Sequence, residues 1–107
     1  MSLVKIACIQ TNSSSDPDEN IDTVSDLIRK ASASGAQIIT TPEVVGMLEP
    51  NRTLALSKAE PEKHHRVLKA FRELALELDI WLLIGSISIK ISGAKLSNRS
   101  FLINSNG

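Results

Sequence analysis

The chain of 107 residues has one cysteine, no tyrosine and only three aromatic side chains, Phe71, Trp81 and Phe101. A single cysteine excludes an internal disulfide, and a reducing, cytoplasmic setting is the expectation. Three aromatics make no stacking platform for bases. Twelve basic residues balance 12 acidic ones for a formal net charge of zero, so no electrostatic footprint for nucleic acid or an anionic membrane is visible. No apolar run reaches the roughly 18 residues that span a bilayer. The opening Met1-Ser2-Leu3-Val4-Lys5 has neither the charged n-region nor the cleavage site of a secretory signal. Asn-x-Ser/Thr triplets at Asn12, Asn51 and Asn98 are read as chance matches in such a compartment.

What is present is a globular composition. Apolar residues make up 42% of the sequence, enough for one small domain with a core and too many for a disordered chain. Leu3 to Gln10 is almost continuously apolar, which predicts a strand covered on both faces, with Cys8 packed in it as a small hydrophobe. Asp16-Pro17-Asp18-Glu19 predicts a helix start: Asp16 as cap, Pro17 in the first helical position, Glu19 completing a capping box. Ile21, Val24, Leu27, Ile28 and Ala31 recur at helical spacing, and Gly35 suits the position after the helix end. A strand over Gln37–Thr41 follows directly, so a right-handed parallel βαβ unit is expected.

Residues 44–56 read as irregular, and a second helix is predicted to begin at Ser57 or Glu60, with the stripe Val67, Leu68, Phe71, Leu74, Ala75 and Leu78. A buried strand follows from Ile80 through Gly85 towards Ile91. Ser92-Gly93-Ala94 turns the chain, and Ser100 to Ile103 forms a last strand antiparallel to it. Asn106-Gly107 is a favoured pair for a two-residue hairpin turn, with no strand after it. The expectation is a chain cut in mid-domain, because four such apolar strands need cover on both faces and two helices cover only one.

The candidate chemistry sits at the end of Ile38-Ile39-Thr40-Thr41-Pro42-Glu43. Pro42 stops regular pairing because it has no N–H. Glu43 is thereby delivered at the carboxyl end of a strand, where open α/β sheets place ligands. A carboxylate there can act as a general base. His64 and His65 are adjacent, about 100° apart on a helix, which is wrong for a metal pair and suits a solvated face. Lys90 and Lys95 read as solvated charges flanking the turn. Asn98 is either a turn residue or a group that positions the base or its loop. Gly85 either permits close backbone approach near a pocket or marks a strand bulge. The run Thr11 to Ser15 contains no glycine, so it is a polar loop and not a phosphate cradle or dinucleotide site.

Taken in order, several pieces resemble the N-terminal part of the nitrilase, or carbon–nitrogen hydrolase, superfamily. They are Val4-Lys5-Ile6-Ala7-Cys8-Ile9-Gln10, Asn20, Gly35-Ala36-Gln37-Ile38-Ile39, Pro42-Glu43, Gly85-Ser86, Asn98-Arg99-Ser100-Phe101-Leu102-Ile103 and Asn106-Gly107. The resemblance covers essentially all of residues 1–107 and makes them the N-terminal portion of an incomplete hydrolase domain. It implies an α/β fold, part of an αββα sandwich, with a mixed sheet of about four strands and two helices on one face. It also implies a Glu–Lys–Cys triad without cofactor or metal, acting on a small amide or nitrile. The cysteine forms a thioester, the glutamate is general base and acid, and the lysine stabilises the oxyanion.

By position the glutamate is Glu43. The lysine and cysteine positions fall after residue 107, so no nucleophile is expected in this chain and the isolated chain is expected to be inactive. The complete protein is expected to be a homo-oligomer. The stretch Gly46 to Leu56 and Trp81 to Ser86 look most like the branch that cleaves small linear amides, including deaminated glutathione. The competing reading is a non-catalytic assembly module that offers the sheet edge after Ile103 to a partner strand.

Overall fold

In the computed structural model, which describes residues 3–107, the chain forms four strands and three α-helices. In chain order they are β1 (Ile6–Cys8), α1 (Pro17–Ala33), β2 (Ile38–Thr41), α2 (Arg52–Lys58), α3 (Arg66–Leu78), β3 (Trp81–Ser92) and β4 (Lys95–Ile103), with a single 3-10 turn at Glu62–His64 before α3. The sheet order is β1-β2-β3-β4, with parallel pairing of β1–β2 and β2–β3 and an antiparallel β3–β4 hairpin. The fold is the α/β arrangement expected from the order of elements.

The local signals explain most of these elements. Asp16 accepts the N–H groups of Asp18 and Glu19 at 3.0 and 3.5 Å, so α1 starts at Pro17. Gly35, at φ +96°, ends it in a conformation that costs glycine little. One face of the sheet carries the core: Ile39, Leu82, Ile84, Ile87, Ile89 and Ile103 pack against Val24 and Ile28 of α1 and Val67, Phe71, Leu74 and Ala75 of α3.

Several expectations are corrected. The region after Glu43 is not irregular throughout: Asn51 accepts the N–H of Leu54 at 3.0 Å and starts α2. Ser57 therefore lies inside α2, and the long amphipathic helix begins at Arg66, capped by His65. His65 is buried, in place of the solvated face predicted for it. Its Nδ1 lies 3.4 Å from the N–H of Leu68 and its Nε2 2.9 Å from the Ser88 carbonyl. A ring that accepts through Nδ1 must donate through Nε2, so the imidazole staples the start of α3 to β3. The terminal turn runs from Asn104 to Gly107, one step earlier than the hairpin pair implies: Asn104 accepts the N–H of Gly107 through its carbonyl and that of Asn106 through its side chain, both at 3.0 Å.

β1 is also shorter than its apolar run, and it is not covered on both faces. Ile6 and Cys8 are exposed, so the thiol is not packed in the core. The reason is visible along the register. Ile6 pairs with Ile38 and Ile38 with Trp81, while Cys8 pairs with Thr40, Thr40 with Leu83, and Leu83 with Leu102. These side chains share the face opposite the helices, and Ile6, Trp81, Leu83 and Leu102 are 58, 45, 39 and 64% exposed. Among the described residues nothing covers that face. Both faces are apolar and the helices pack against one of them, as expected.

Candidate functional site

Glu43 follows β2 by two residues, at the carboxyl end of a parallel strand flanked by β1 and β3. Its side chain is exposed, and none of the ion pairs among the described residues involves it. The backbone around it is held far more tightly than the side chain. Val44, the next residue, has φ +51°. A β-branched residue in the left-handed region is an outlier, costing about 1–3 kcal/mol, and such a conformation persists only where its surroundings impose it.

The imposing groups come from β3. Ser86 accepts the N–H of Val44 through Oγ at 2.9 Å and the N–H of Val45 through its carbonyl at 3.1 Å. Just before Glu43, the hydroxyl of Thr41 lies 3.3 Å from the N–H of Gly85, which donates to it. A Cβ on Gly85 would stand 2.6 Å from the carbonyl of Thr41 and from both carbonyl atoms of Pro42, distances that real Cβ atoms do not tolerate. Residues 85–86 therefore grip the chain on both sides of Glu43. The β3–β4 register shifts between Ile84 and Ile87 at this point, so Gly85 lies at a strand irregularity and in close backbone contact with Thr41 and Pro42.

A second anchor lies further along the loop. Asn20, buried in α1, donates through Nδ2 to the carbonyls of Ser14 at 2.8 Å and Gly46 at 2.9 Å, and accepts the N–H of Ser14 through Oδ1 at 2.9 Å. Leu48 donates its N–H to the Ser14 carbonyl at 2.9 Å. The Glu49 side chain, only 8% exposed, pairs with Lys58 at 2.8 Å, and Lys58 also donates to the Ser15 carbonyl at 3.0 Å. The hydrogen bond from Lys58, with a further one from the Asn51 N–H, holds the Glu49 carboxyl below its ordinary range.

Asn98 is a strand residue of β4, not a turn residue. It is exposed, pairs with Ser88, and its Oδ1 accepts from the Ser88 hydroxyl at 3.1 Å. It shares a shallow cleft of about 240 Å³ with Val44, Met47, Leu48 and Glu49, so it is brought beside the loop without bonding to it. A larger groove of about 730 Å³ runs along α3 to the terminal turn. It is an open, mixed-charge surface and holds none of Glu43, Gly85 and Asn98. Lys90 and Lys95 lie near the hairpin end.

The residues that sequence reasoning passed over are Ser86 and Asn20 as anchors and Val44 as the strained link. Both Asn20 and Ser86 stand in the stretches that carry the family resemblance. The signal available for Asn20 was a carboxamide on the buried side of an amphipathic helix, four residues before Val24 and eight before Ile28, where an apolar residue is the norm.

Comparison with known proteins fits this geometry. Residues 5–107 match the carbon–nitrogen hydrolase family. An amidase from Nesterenkonia sp. superposes with a TM-score of 0.79 at 24% identity, over 96% of this chain and 39% of that one. The C. elegans NitFhit protein gives 0.80 at 23%, over 97% and 26%. Saccharomyces cerevisiae Nit3, a member of branch 10 of the nitrilase superfamily, gives 0.80 at 21%, over 97% and 41%. A mutant of the Nesterenkonia sp. AN1 amidase carries the product of Michael addition of acrylamide at its active-site cysteine. The chain thus spans about two-fifths or less of the length of these structures. At such identities they establish a shared fold; the match over residues 5–107 establishes the family, and the chain belongs to the carbon–nitrogen hydrolases.

Proposed function

We propose that this chain supplies the general base, Glu43, to thiol-dependent hydrolysis of non-peptide C–N bonds in small linear amides. The nucleophilic thiol and the oxyanion-stabilising lysine come from outside residues 1–107, and these residues alone do not turn over substrate. The observation that carries the reading is the site of Glu43: an exposed carboxylate at the carboxyl end of a parallel strand, on a backbone clamped from both sides, in a chain matched to the family over residues 5–107.

The chemistry follows from the groups. Thiolate is the reactive form of cysteine, and a free thiol with a pKa near 8.5 is mostly protonated at neutral pH. Glu43 takes the thiol proton as sulfur attacks the amide carbon, and a lysine offsets the charge that develops on oxygen. The glutamic acid then returns the proton to the leaving nitrogen, ammonia departs, and a thioester remains. Glu43 next deprotonates the water that cleaves it, releasing the carboxylic acid and the free thiol.

Within this class, the stretches Gly46 to Leu56 and Trp81 to Ser86 favour the branch that acts on small linear amides such as deaminated glutathione. A reducing compartment and a homo-oligomer belong to the same reading. The test uses protein expressed from the complete reading frame, assayed for ammonia release from deaminated glutathione and from a simple aliphatic amide, with hydroxylamine added to trap the thioester as a hydroxamate. Hydroxamate that persists in Cys8→Ala supports the reading. Ammonia release with no hydroxamate refutes the thioester, and loss of turnover in Cys8→Ala refutes a nucleophile from elsewhere.

A second reading is favoured by one observation: β4 is an edge strand beside an uncovered apolar sheet face. A non-catalytic module would use that edge to add a partner strand. Size-exclusion chromatography of the 107-residue chain distinguishes it, since a monomer at all concentrations removes self-assembly through the edge.

A further inference from the structure

The grip on the Glu43 loop has a specific centre. We propose that Ser86 is the positioning residue of the Glu43 carboxylate, acting through the left-handed conformation of Val44; this rests on the reading of Glu43 as the base. Three observations converge on it. Ser86 is the one residue that receives both N–H groups following Glu43, that of Val44 on its hydroxyl and that of Val45 on its carbonyl. It is buried, so water cannot readily replace the hydroxyl as an acceptor. Val44, at φ +51°, would leave this conformation if released, because a branched Cβ disfavours it.

The direction of a side chain follows from the backbone that carries it. A rotation of φ at Val44 changes the course of the chain directly after Glu43, and relaxation of that strain spreads to the preceding peptide. On the upstream side Thr41 and Pro42 are packed against Gly85 with no room for a Cβ, so that side cannot yield. Movement is left to the Glu43–Val44 link, and the Ser86 hydroxyl is the group that prevents it. Asn20 fixes the loop only from Gly46 onwards, two residues too late to set Val44. A base must meet its proton at hydrogen-bond distance, and a misplacement of about 1 Å can cost on the order of a hundredfold in rate.

The experiment measures amide hydrolysis by the protein expressed from the complete reading frame, in four forms: unaltered, Ser86→Ala, Val44→Gly with Ser86→Ala, and Glu43→Gln. The expected result for Ser86→Ala is a fall in kcat of roughly ten- to a hundredfold with KM changed by less than about threefold, the pattern of lost transition-state alignment. Adding Val44→Gly should restore much of that loss, because glycine takes φ +51° without a hydroxyl to hold it. A structural role alone would give no such rescue.

Amide hydrogen exchange of the unaltered protein provides a readout independent of turnover and of how Ser86→Ala folds: the Val44 and Val45 N–H groups should be protected. Fast exchange at both, an unchanged kcat in Ser86→Ala, or a loss that Val44→Gly does not relieve would each overturn the proposal. Full turnover in Glu43→Gln would instead remove the base itself, while exchange at Val44 and Val45 still decides whether Ser86 holds the loop.

Discussion

The Cβ that Gly85 lacks would stand 2.6 Å from the carbonyl carbon and oxygen of Pro42. The strand after α3 and the residue before Glu43 are thus in backbone-to-backbone contact, and neither has a flexible end to give way. Gly85→Ala must push the strands apart. We expect a loss of about 1–3 kcal/mol in chemical denaturation, the usual cost of overpacking, together with loss of the Gly85–Thr41 hydrogen bond. A variant as stable as the original would show that the contact relaxes freely.

Asn20 joins three backbone groups of two loops through one buried carboxamide. Asn20→Ala leaves the Ser14 N–H and the Gly46 carbonyl without that partner, while the Ser14 carbonyl keeps the Leu48 N–H; an orphaned buried group costs about 1–3 kcal/mol. Asn20→Asp should be worse at neutral pH, since a carboxylate cannot donate and would face the carbonyls of Ser14 and Gly46. Thermal melts of both variants at pH 7 check the order, which is unaltered above Asn20→Ala above Asn20→Asp.

The Glu49–Lys58 pair carries a pH signature. The Glu49 carboxyl is held below its ordinary range in the folded chain, chiefly by its hydrogen bond from Lys58. As pH falls below the ordinary glutamate value of about 4.3, the unfolded chain binds this proton first. The stabilisation is therefore complete above that value and is lost as pH drops through the lower, folded one. Glu49→Gln should melt lower than the unaltered chain at neutral pH, with the difference shrinking in acid. The exposed Glu77, lowered in the same direction by its hydrogen bond from Arg29, titrates with the same sign, so Glu77→Gln serves as the surface comparison. A gap between Glu49→Gln and the unaltered chain that is constant with pH would contradict the assignment.

The uncovered sheet face should make the 107-residue chain self-associate. Leu102 is 64% exposed on that face and Leu83 39%. Leu102→Lys should change stability by no more than about 0.5 kcal/mol, as surface substitutions do, while lowering the sedimentation-measured association and the binding of a hydrophobic dye. A cost of several kcal/mol would mean that Leu102 is already buried in solution.

Much of this molecule was legible from residue order. The cap at Asp16, the break at Gly35, the α3 stripe and the hairpin at Gly93 are local, and local chemistry decides them. The placement of Glu43 just past the carboxyl end of β2 was legible because a proline ended an apolar strand just before it. Four matters were not. Asn51 starts α2 only because its carboxamide reaches Leu54, a bond that competes with reading Pro50-Asn51 as a turn. The burial of His65 depends on the Ser88 carbonyl, 23 residues away. Cys8 sits in a sequence as apolar as a core strand, yet exposure is set by what lies across the sheet, and no run of β1 residues encodes that. The contacts of Ser86 were hidden for the same reason: a serine within an apolar strand has no local feature that reveals two N–H groups arriving from residues 44 and 45.

The most direct test of the central claim is kcat/KM for amide hydrolysis by Glu43→Gln, measured on correctly folded protein from the complete reading frame. Glutamine keeps the size and the exposed position of the side chain but cannot accept the thiol proton. A general base contributes about 10²–10⁴-fold, and a loss of that order, with the fold unchanged by circular dichroism, is the result predicted. A Glu43→Gln protein that retains full kcat/KM would contradict the assignment of Glu43 as the base.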